Sequence, residues 1–556
     1  LYGTDAANGV IVITTKKGRA GNARWTWTAE EGVVSDRNDY GAQYAIWGHS
    51  PTAPNTQIRC WLQTMDFQTP CLQDSVTTYN PLRTDDVSPI HLGKRSLYGG
   101  QVAGGSESIR YFVSGNVENE IGPLKMPPFA QRRLDSLNTP IRDEWMYPAA
   151  MQLLNTRANL QATISPQFDL SVNAGFIQSH NRIAQTDNNS LGIWSSAREN
   201  PGFNHAGLGY TNVGALGEDL HGFNRWIPSE IFQEYSPVDI QRITSSANAN
   251  WRPFAWMQND ATVGIDLADR VTQDLCRLSE CPNSGTTRQG SVSLSQSNNR
   301  LFTVNVISTA SWNAKSWLNL KTTVGSQYVN SENDGVSANG SVLPPGGSTV
   351  GQATNKSGSN TFPTATKTLG LYIQEQAALR DRLFLVVAAR TDQNSAFGTN
   401  FQRVVYPKVS ASWLASDETW FPKFDWMSQF RFRTAYGASG VQPGSTSALR
   451  TFSTTTTNIE TADRAGLRAN ALGNPDLKPE SSAELELGFD TRVLANRVNF
   501  EYTYYNKQTH DALISIPIAG SSAASSLSRL TNIGSIQNAG HELSINAQLL
   551  DRRAFG

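Results

Sequence analysis

The sequence predicts an all-β fold: a transmembrane antiparallel β-barrel with long loops at one end. Apolar and polar residues alternate with period two along nearly the whole 556-residue chain, which is typical of strands with one wet and one apolar face. Short turns and long loops alternate between these strands. A helical membrane protein is excluded, because the longest apolar stretch we find is residues 383–389, whereas a helical span needs about 20 residues.

Charge and composition exclude two further classes of protein. Lys and Arg number 46 against 47 Asp and Glu, so the net charge is −1, and nucleic-acid-binding proteins normally carry a basic excess. The 14 Trp, 16 Tyr and 22 Phe argue against a disordered chain. A chain of this length suggests several soluble domains, but one barrel with large surface loops explains the low mean hydropathy of −0.39 better.

The clearest predicted hairpin turns at Ser165, Pro166 and Gln167. Polar residues alternate there with an apolar set: Ala158, Leu160, Ala162 and Ile164 before the turn, then Phe168, Leu170, Val172, Ala174 and Phe176 after it. We therefore expect Leu170 to face lipid and Ser171 to face the lumen. Similar hairpins bracket residues 252–253, 313–315, 380–382 and 494–497, and the count of candidate strands is about sixteen.

The connections between the predicted strands differ at the two ends of the sheet. Short turns of about three to five residues lie at one end. Long segments rich in Gly, Ser, Asn and Thr lie at the other: residues 181–240, 330–363 and 439–480. Outer-membrane barrels have short periplasmic turns and long extracellular loops, so the short turns are assigned to the periplasmic side.

Four tryptophans flank two of the short turns: Trp251, Trp256, Trp312 and Trp317. This position predicts an aromatic girdle at the periplasmic interface of the membrane. The alternative is ordinary packing of Trp across a hairpin turn.

Four groups of segments resemble TonB-dependent outer-membrane transporters, specifically the SusC/RagA-like group. They are residues 1–18 (LYGTDAANGVIVITTKKG), residues 105–122, residues 371–407, and residues 472–480 with 504–507 and 538–542. The first group is similar to the strand that closes the plug domain in that family. The resemblance implies that residues 1–20 end a plug domain and that residues 21–556 form the barrel.

The family barrel has about 22 strands, so sixteen imply that the last several strands lie outside this sequence. The same reasoning places most of the plug, the signal peptide and the TonB box upstream of Leu1.

The resemblance also implies the function: active import of oligosaccharides or peptides across the outer membrane of a Gram-negative bacterium. The implied partners are a SusD-like surface lipoprotein, the TonB–ExbB–ExbD energy complex and outer-membrane lipid. The alternative is a non-transporting outer-membrane β-barrel or a surface adhesin, which has no need of the plug strand in residues 1–18.

The four cysteines form two local pairs, Cys60 with Cys71 and Cys276 with Cys281, in segments assigned to extracellular loops. An even count in an oxidising compartment predicts two disulfides. The rival is a metal site, but neither spacing matches a zinc pattern and no His lies beside either pair.

No catalytic motif is evident, so we expect no enzyme. The seven His are scattered, and Gly540-His541-Glu542 does not continue to the HExxH spacing of a zinc protease. No resident cofactor is expected. A loop such as residues 330–335 (NSENDG) is a candidate Ca²⁺ site, and the alternative is an ordinary solvated loop.

Aromatic residues of the longest loop are the candidate substrate-binding residues. Exposed rings there would stack on sugar faces or on peptide side chains. The alternative is packing of the loop on itself or on a capping partner. The candidates are Trp194, Phe203, Tyr210, Phe223 and Trp226.

Overall fold

The computed structural model describes residues 15–60, 70–186, 189, 191–199, 202–204, 213–398, 403–522 and 524–549. Residues 1–14 of the segment that resembles a plug strand lie outside the described residues, as does Tyr210. The division into a plug end and a barrel therefore stays a prediction.

Strands make up most of the described chain. In chain order they are β1 (Gly21–Val34), β2 (Gln43–Ser50), β3 (Ala53–Cys60), β4 (Leu72–Tyr79), β5 (Gly93–Gly105), β6 (Ile109–Ile121), β7 (Ala150–Ser165), β8 (Phe168–Arg182), β9 (Pro237–Phe254), β10 (Met257–Cys276), β11 (Ser291–Lys315), β12 (Leu318–Ser341), β13 (Asn355–Leu379), β14 (Leu383–Asn394), β15 (Val404–Leu414), β16 (Met427–Val441), β17 (Thr451–Ile459), β18 (Ala462–Ala471), β19 (Glu480–Val493), β20 (Val498–His510), β21 (Leu513–Pro517), β22 (Ser528–Asn532) and β23 (Ser535–Ala547).

Among the described residues, four short α-helices lie in the loops between strands: α1 (Pro128–Ser136), α2 (Asp143–Met146), α3 (Ile193–Arg198) and α4 (Pro228–Ile231). Single 3₁₀ turns cover Pro81–Arg83, Thr287–Gln289, Val350–Gln352, Ala415–Asp417 and Gly520–Ser522. Within the described ranges, no helix is long and apolar enough to cross a membrane.

Sixteen strands form one antiparallel sheet, which confirms the predicted fold class and strand count. Its order is β1-β5-β6-β7-β8-β9-β10-β11-β12-β13-β14-β15-β16-β19-β20-β23. Neighbours in the sheet follow one another along the chain, with loop strands set aside, so this is an up-and-down meander. The loop strands form three small sheets that the sequence analysis did not predict: β3-β2-β4, β17-β18 and β21-β22.

The turn between β13 and β14 shows how the short connections close. Arg380 and Asp381 have φ values of 52° and 54°, a left-handed pair at the centre of the turn. Two consecutive left-handed residues match the right-handed twist of the flanking strands, which is why such turns join hairpins.

One predicted loop is wrong. Residues 330–335 lie inside β12, which continues to Ser341 and pairs with β11 throughout. Residues on both faces are polar in this stretch, so the alternation that reveals the rest of the strand disappears. A strand with polar residues on both faces has no period-two signal, so its sequence resembles that of a loop.

Candidate functional site: the inner wall and the loop layer

The face of the sheet that points inward is marked by Asn159 in β7. Its side chain is only 3% exposed, because the segment before β1 lies against it. Asn159 Nδ2 donates a 2.6 Å hydrogen bond to the carbonyl oxygen of Lys16. Directly paired residues of neighbouring strands point to the same face, so the register extends this assignment around the wall.

The inner face is mainly polar and uncharged at mid-height. Asn159 pairs with Asn173, and Asn173 pairs with Ser246, to which its amide donates at 3.2 Å. The next row of paired residues has the same character: Gln161, Ser171, Asn248 and Thr262. Ser171 therefore faces inward, and its neighbour Leu170 faces outward, as predicted.

Several arginines of the inner face are matched by acids on adjacent strands. The pairs are Arg252 with Asp169, Arg242 with Asp266, and Arg433 with Asp490 at 3.0 Å. Local pairing keeps these parts of the wall near neutrality while leaving many hydrogen-bonding groups.

The outer face is apolar and exposed in the isolated chain. Leu160 pairs with Val172, and Val263 pairs with Val304, each continuing an outward row. A soluble protein rarely exposes an apolar surface that runs across so many strands. Lipid is the natural covering of this face.

The four tryptophans of the predicted girdle lie at the end of the sheet with the short turns. Trp251, Trp256, Trp312 and Trp317 are each between 43% and 51% exposed. Trp256 stacks on Phe254 at 5.4 Å between ring centroids rather than packing into an interior. The rings are therefore placed where an interfacial girdle needs them.

At the opposite end, the loops after β4, β6 and β8 pack into one layer with its own hydrophobic core. We call this the loop layer. Helices α1 to α4 supply much of its core: Phe129, Ala130, Leu134, Trp145, Ile193, Ala197 and Ile231. A core of this kind holds the surface loops in one arrangement, because their buried apolar contacts stabilise them.

Ion pairs join the loops of this layer to one another and to the loop after β10. Arg132 forms two hydrogen bonds to Asp86 at 2.6 and 2.9 Å, and Arg142 forms two to Glu280 at 2.9 and 3.2 Å. The geometry is bidentate in both pairs, the arrangement in which an Arg–carboxylate pair is most specific. These contacts link the loop after β6 to the loops after β4 and β10.

The predicted substrate-binding aromatics are mostly part of this core. Phe223 is completely buried and Trp226 is 9% exposed, so the expectation of exposed rings is wrong for both. Trp194 stacks on Tyr40 at 5.3 Å, and Phe203 lies 5.6 Å from Trp47. The physical reason is that a long loop with many apolar residues lowers its free energy by burying them against itself. The alternative of loop self-packing describes these rings better.

Two carboxyl groups of the loop layer, the buried Glu230 and the half-buried Glu234, have a raised pKa. Burial, and then the Glu218 carboxylate, raises the pKa of Glu230 to about 7. Arg133 lies 3.6 Å from Glu230 and opposes this shift. Burial, and then Asp274, raises the pKa of Glu234 to about 7. Both carboxyl groups therefore titrate near neutral pH.

A second buried cluster joins two of the segments that carried the resemblance. The side chains of Arg390 and Asp392 are 3% and 0% exposed, with Arg390 Nε donating to Asp392 Oδ1 at 2.7 Å. Above them, the loop after β14 contacts the segment before β19, where Leu477 is completely buried. Sequence reasoning missed this cluster, although the spacing of Arg390 and Asp392 puts both on one face of a strand.

The structure joins each cysteine pair through a disulfide. Cys60 and Cys71 have a Cα–Cα distance of 5.7 Å, and Cys276 and Cys281 one of 5.8 Å, both inside the usual range. The second disulfide closes the loop after β10 around Glu280, whose carboxylate binds Arg142 of the loop layer.

The calcium candidate in residues 330–335 lies within β12 rather than in a loop, and it stays a prediction. Asp334 is engaged by Arg300 and by the side-chain amide of Asn298, which donates at 3.0 Å. Among the described residues, no group of three or more His, Cys, Asp and Glu is placed to hold a metal ion.

An antiparallel meander with a lipid-compatible outer face, a polar inner face, a girdle at the short turns and a loop layer at the far end defines an outer-membrane β-barrel protein. The chain belongs to the TonB-dependent receptor-like β-barrel family, whose sequence model matches residues 177–556. The resemblance inferred from the sequence is thereby confirmed, and so is an outer-membrane location.

Relatives share the family across the chain. TonB-dependent receptor P26 of Formosa agariphila is 23% identical over 589 residues, covering 98% of this chain and 52% of P26. TonB-dependent receptor P3 of the same organism is 29% identical over 170 residues, 30% of this chain and 17% of P3. This chain thus spans about half the length of P26.

Solved structures share the fold. The RagAB peptide importer in its closed-closed state superposes with a TM-score of 0.76 at 18% identity, covering 100% of this chain and 62% of that one. The siderophore receptor PirA from Acinetobacter baumannii gives 0.51 at 12% identity, covering 96% and 61%. Family membership also confirms that the chain is not an enzyme, because the family is one of receptors.

Proposed function

We propose that the chain forms most of the wall of a TonB-coupled importer of oligosaccharides or peptides. The observation that carries this proposal is the contact between Asn159 and the backbone of Lys16. A segment that precedes the first strand and lies against the inner wall suits a transporter whose wide lumen must be obstructed between transport events. An adhesin or a purely structural barrel has no use for it.

The inner wall supports the proposed class of substrate. Amides and hydroxyls of residues such as Asn173, Ser246 and Asn248 offer donors and acceptors at fixed positions. Sugar hydroxyls and peptide amides bind through the same kinds of hydrogen bond. A small hydrophobic substrate would gain little from such a wall.

The loop layer supports the proposed partner, a SusD-like surface lipoprotein that caps the barrel. Its core and its bidentate ion pairs order the loops before any partner arrives. A surface ordered in advance loses less entropy when it binds. One solved structure that shares the fold is described as a RagAB peptide importer, which supports a two-component assembly. The proposed source of energy is the TonB–ExbB–ExbD complex.

Uptake by cells tests the proposed function. A strain lacking the full-length gene, complemented with the parent gene, is given fluorescent oligosaccharides and peptides, and internal label is measured with TonB present and deleted. We expect uptake that depends on both the gene and TonB. Uptake unchanged by deletion of either would favour a non-transporting barrel or an adhesin.

A matched pair of variants tests the contact between Asn159 and Lys16 on which the proposal depends. Asn159→Leu removes the contact with Lys16, whereas Asn173→Leu removes an amide from the same row without touching that segment. We expect the first to change uptake, or passive leakage of large antibiotics, more than the second. Equal effects would contradict the assigned role of the contact.

A further inference from the structure

One connection at the short-turn end of the sheet is much longer than its neighbours. Leu414 ends β15 and Met427 begins β16, so residues 415–426 form a connection of twelve residues. The hairpins β7–β8 and β11–β12 turn at the same end through residues 166–167 and 316–317, two residues each. Aromatic rings are concentrated in the long connection: Trp420, Phe421, Phe424 and Trp426. An exposed patch of this composition marks an interaction surface.

Strand register extends the outer face of the wall to this connection. Val306 lies two positions after Val304 on β11, so both share the outer face. The residues paired in succession from Val306 to β15 are Ser326, Leu371, Thr391 and Val405. Trp413 follows the last of these by eight positions on the same strand, so it shares that face. Its partner on β16 is Phe432, and Phe430 lies two positions earlier on the same face.

The connection folds back onto this outer face and not into the lumen. The ring centroid of Trp420 lies 5.7 Å from that of Trp413, and Phe421 stacks on Phe430 at 6.1 Å. Trp420 is nevertheless 63% exposed and Trp426 is 55% exposed. Because the rings lie outside the wall, a domain inside the lumen cannot cover them.

Polar contacts hold the connection in this shape. The Glu418 carboxylate accepts hydrogen bonds from Arg382 Nη1 and from Trp413 Nε1, each at 3.3 Å. Lys423 Nζ donates to the carbonyl oxygen of Ser416 at 2.6 Å. The exposed rings therefore belong to an ordered segment.

Backbone contacts with neighbouring turns place the connection at the level of the predicted girdle. The N–H of Arg380 donates to the carbonyl oxygen of Trp317 at 2.7 Å, and the N–H of Leu414 donates to that of Arg382 at 2.8 Å. These contacts run from a girdle tryptophan to the residue that precedes the connection. Trp rings are enriched at this level of a membrane, because the apolar body contacts lipid while the N–H stays in a polar layer.

We propose that residues 415–426 form an interfacial foot, which lies in the periplasmic leaflet of the outer membrane and buries Trp420, Phe424 and Trp426 among phospholipids. Lipid is the occupant because the surface that the foot extends is the lipid-facing surface of the wall. The foot differs from the girdle in that a whole connection enters the leaflet, not single rings. It lies beside β15 and β16, so it holds that side of the wall at a fixed depth. The inference does not depend on import.

Spin labels measure the depth of the foot. Trp420→Cys and Phe424→Cys are each labelled in full-length protein without other free cysteines and reconstituted in vesicles of phosphatidylethanolamine and phosphatidylglycerol. Oxygen concentrates in lipid and a nickel chelate, present on both sides, stays in water, so the ratio of the two collision rates reports the surroundings of the label. We expect oxygen to be favoured severalfold at both positions.

The matched control is Glu107→Cys, in the turn between β5 and β6 at the same end of the sheet, where the side chain is 92% exposed. The nickel chelate should be favoured there. Labels at positions 420 and 424 that are as accessible to nickel as the label at 107 overturn the proposal. Disulfide cross-linking between two copies of Trp420→Cys in the vesicles also overturns it, since the occupant would then be a second copy of the chain.

Tryptophan fluorescence tests the foot without an introduced cysteine. Lipids brominated near the headgroup end of the acyl chain quench rings at the interface. The double variant Trp420→Phe, Trp426→Phe keeps both rings aromatic and should lower the fraction of fluorescence that these lipids quench. Trp47→Phe, in strand β2 of the loop sheet, should not lower it. An equal quenched fraction in the parent protein and the double variant would contradict the foot.

Discussion

The backbone N–H of Gly398 donates a 2.8 Å hydrogen bond to the carbonyl oxygen of Leu477, which joins the loop after β14 to the segment before β19. A Cβ at position 398 would lie 2.1 Å from the carbonyl oxygen of Pro475, so only glycine fits this approach without a shift of the backbone. Gly398 and Leu477 belong to two different segments of the resemblance. Their contact gives a physical reason for the two segments to occur together.

Gly398→Ala should loosen this contact. The added methyl group must push two backbones apart, and overpacking of this kind costs about 1–3 kcal/mol. Hydrogen exchange followed by mass spectrometry should show faster exchange across residues 472–479. The control is Gly437→Ala in β16, where an added Cβ meets no atom within 4 Å. Unchanged protection in Gly398→Ala would mean that the close contact between the two backbones does not require glycine at position 398.

Leu170→Arg should impair assembly of the barrel, whereas Ser171→Arg should be tolerated. Arg on the lipid face near the midplane costs about 2–4 kcal/mol, and Arg on the inner face remains solvated. Heat-modifiable gel mobility of the full-length protein in outer-membrane fractions measures folded barrel. Because a slip of one residue exchanges the two faces, the opposite ranking would show that the assigned faces are reversed.

Glu230→Gln should reduce the pH dependence of the stability of the loop layer. The folded-state pKa of Glu230, about 7, lies above its ordinary value of 4.5, so the folded layer binds the proton more tightly than the unfolded chain does. The stabilising effect of that proton is complete below about pH 4.5 and is lost as the pH rises to 7. Parent protein should therefore open more readily at pH 8 than at pH 5, as measured by proteolysis of the loops.

The matched control for Glu230→Gln is Asp135→Asn, an exposed acid on helix α1. It should leave the difference between pH 5 and pH 8 intact. The Glu230→Gln variant should reduce that difference without abolishing it, because Glu234 titrates in the same window. A difference that is the same in all three proteins would assign the pH response to other groups.

Thiol titration should detect no reactive cysteine in the part of the full-length protein that this chain represents, until a reductant is added. Reduction should then release four thiols, two from each disulfide. The double variant Cys276→Ser, Cys281→Ser should release two. We expect it to fold, because a disulfide across so short a loop removes less entropy from the unfolded chain than a long-range one does. Four reactive thiols without reductant would contradict both pairings.

The sheet was predictable because the membrane imposes its pattern. Each strand that crosses lipid must present apolar residues on one face, so Leu160, Val172 and their neighbours reveal strand, turn and register together. Where a strand leaves the lipid and needs no apolar face, the prediction of strands from the sequence failed. The upper part of β12, around Asp334, is a strand without an apolar face, and the sequence indicates a loop there.

The loop layer could not be predicted from the periodicity of the sequence. Phe223 and Trp226 lie in irregular segments, where no repeat of 2 or 3.6 residues shows which side is buried. Their burial depends on contacts with α1 and with loops distant in sequence. The same holds for Lys16 and Asn159, which are in contact only because the chain entering β1 lies across β7.

The length of the hairpin of β11 and β12 has a consequence for how the molecule stands in the cell envelope. A strand of 25 residues is roughly 80 Å long, and at the usual tilt of about 40° it has a height of about 60 Å, against an apolar band of about 25 Å. More than half of that hairpin therefore stands clear of the hydrocarbon, as a tall wall on one side of the opening. This wall carries one side of the rim away from the headgroups, so that side is placed to contact a bulky soluble molecule outside the membrane.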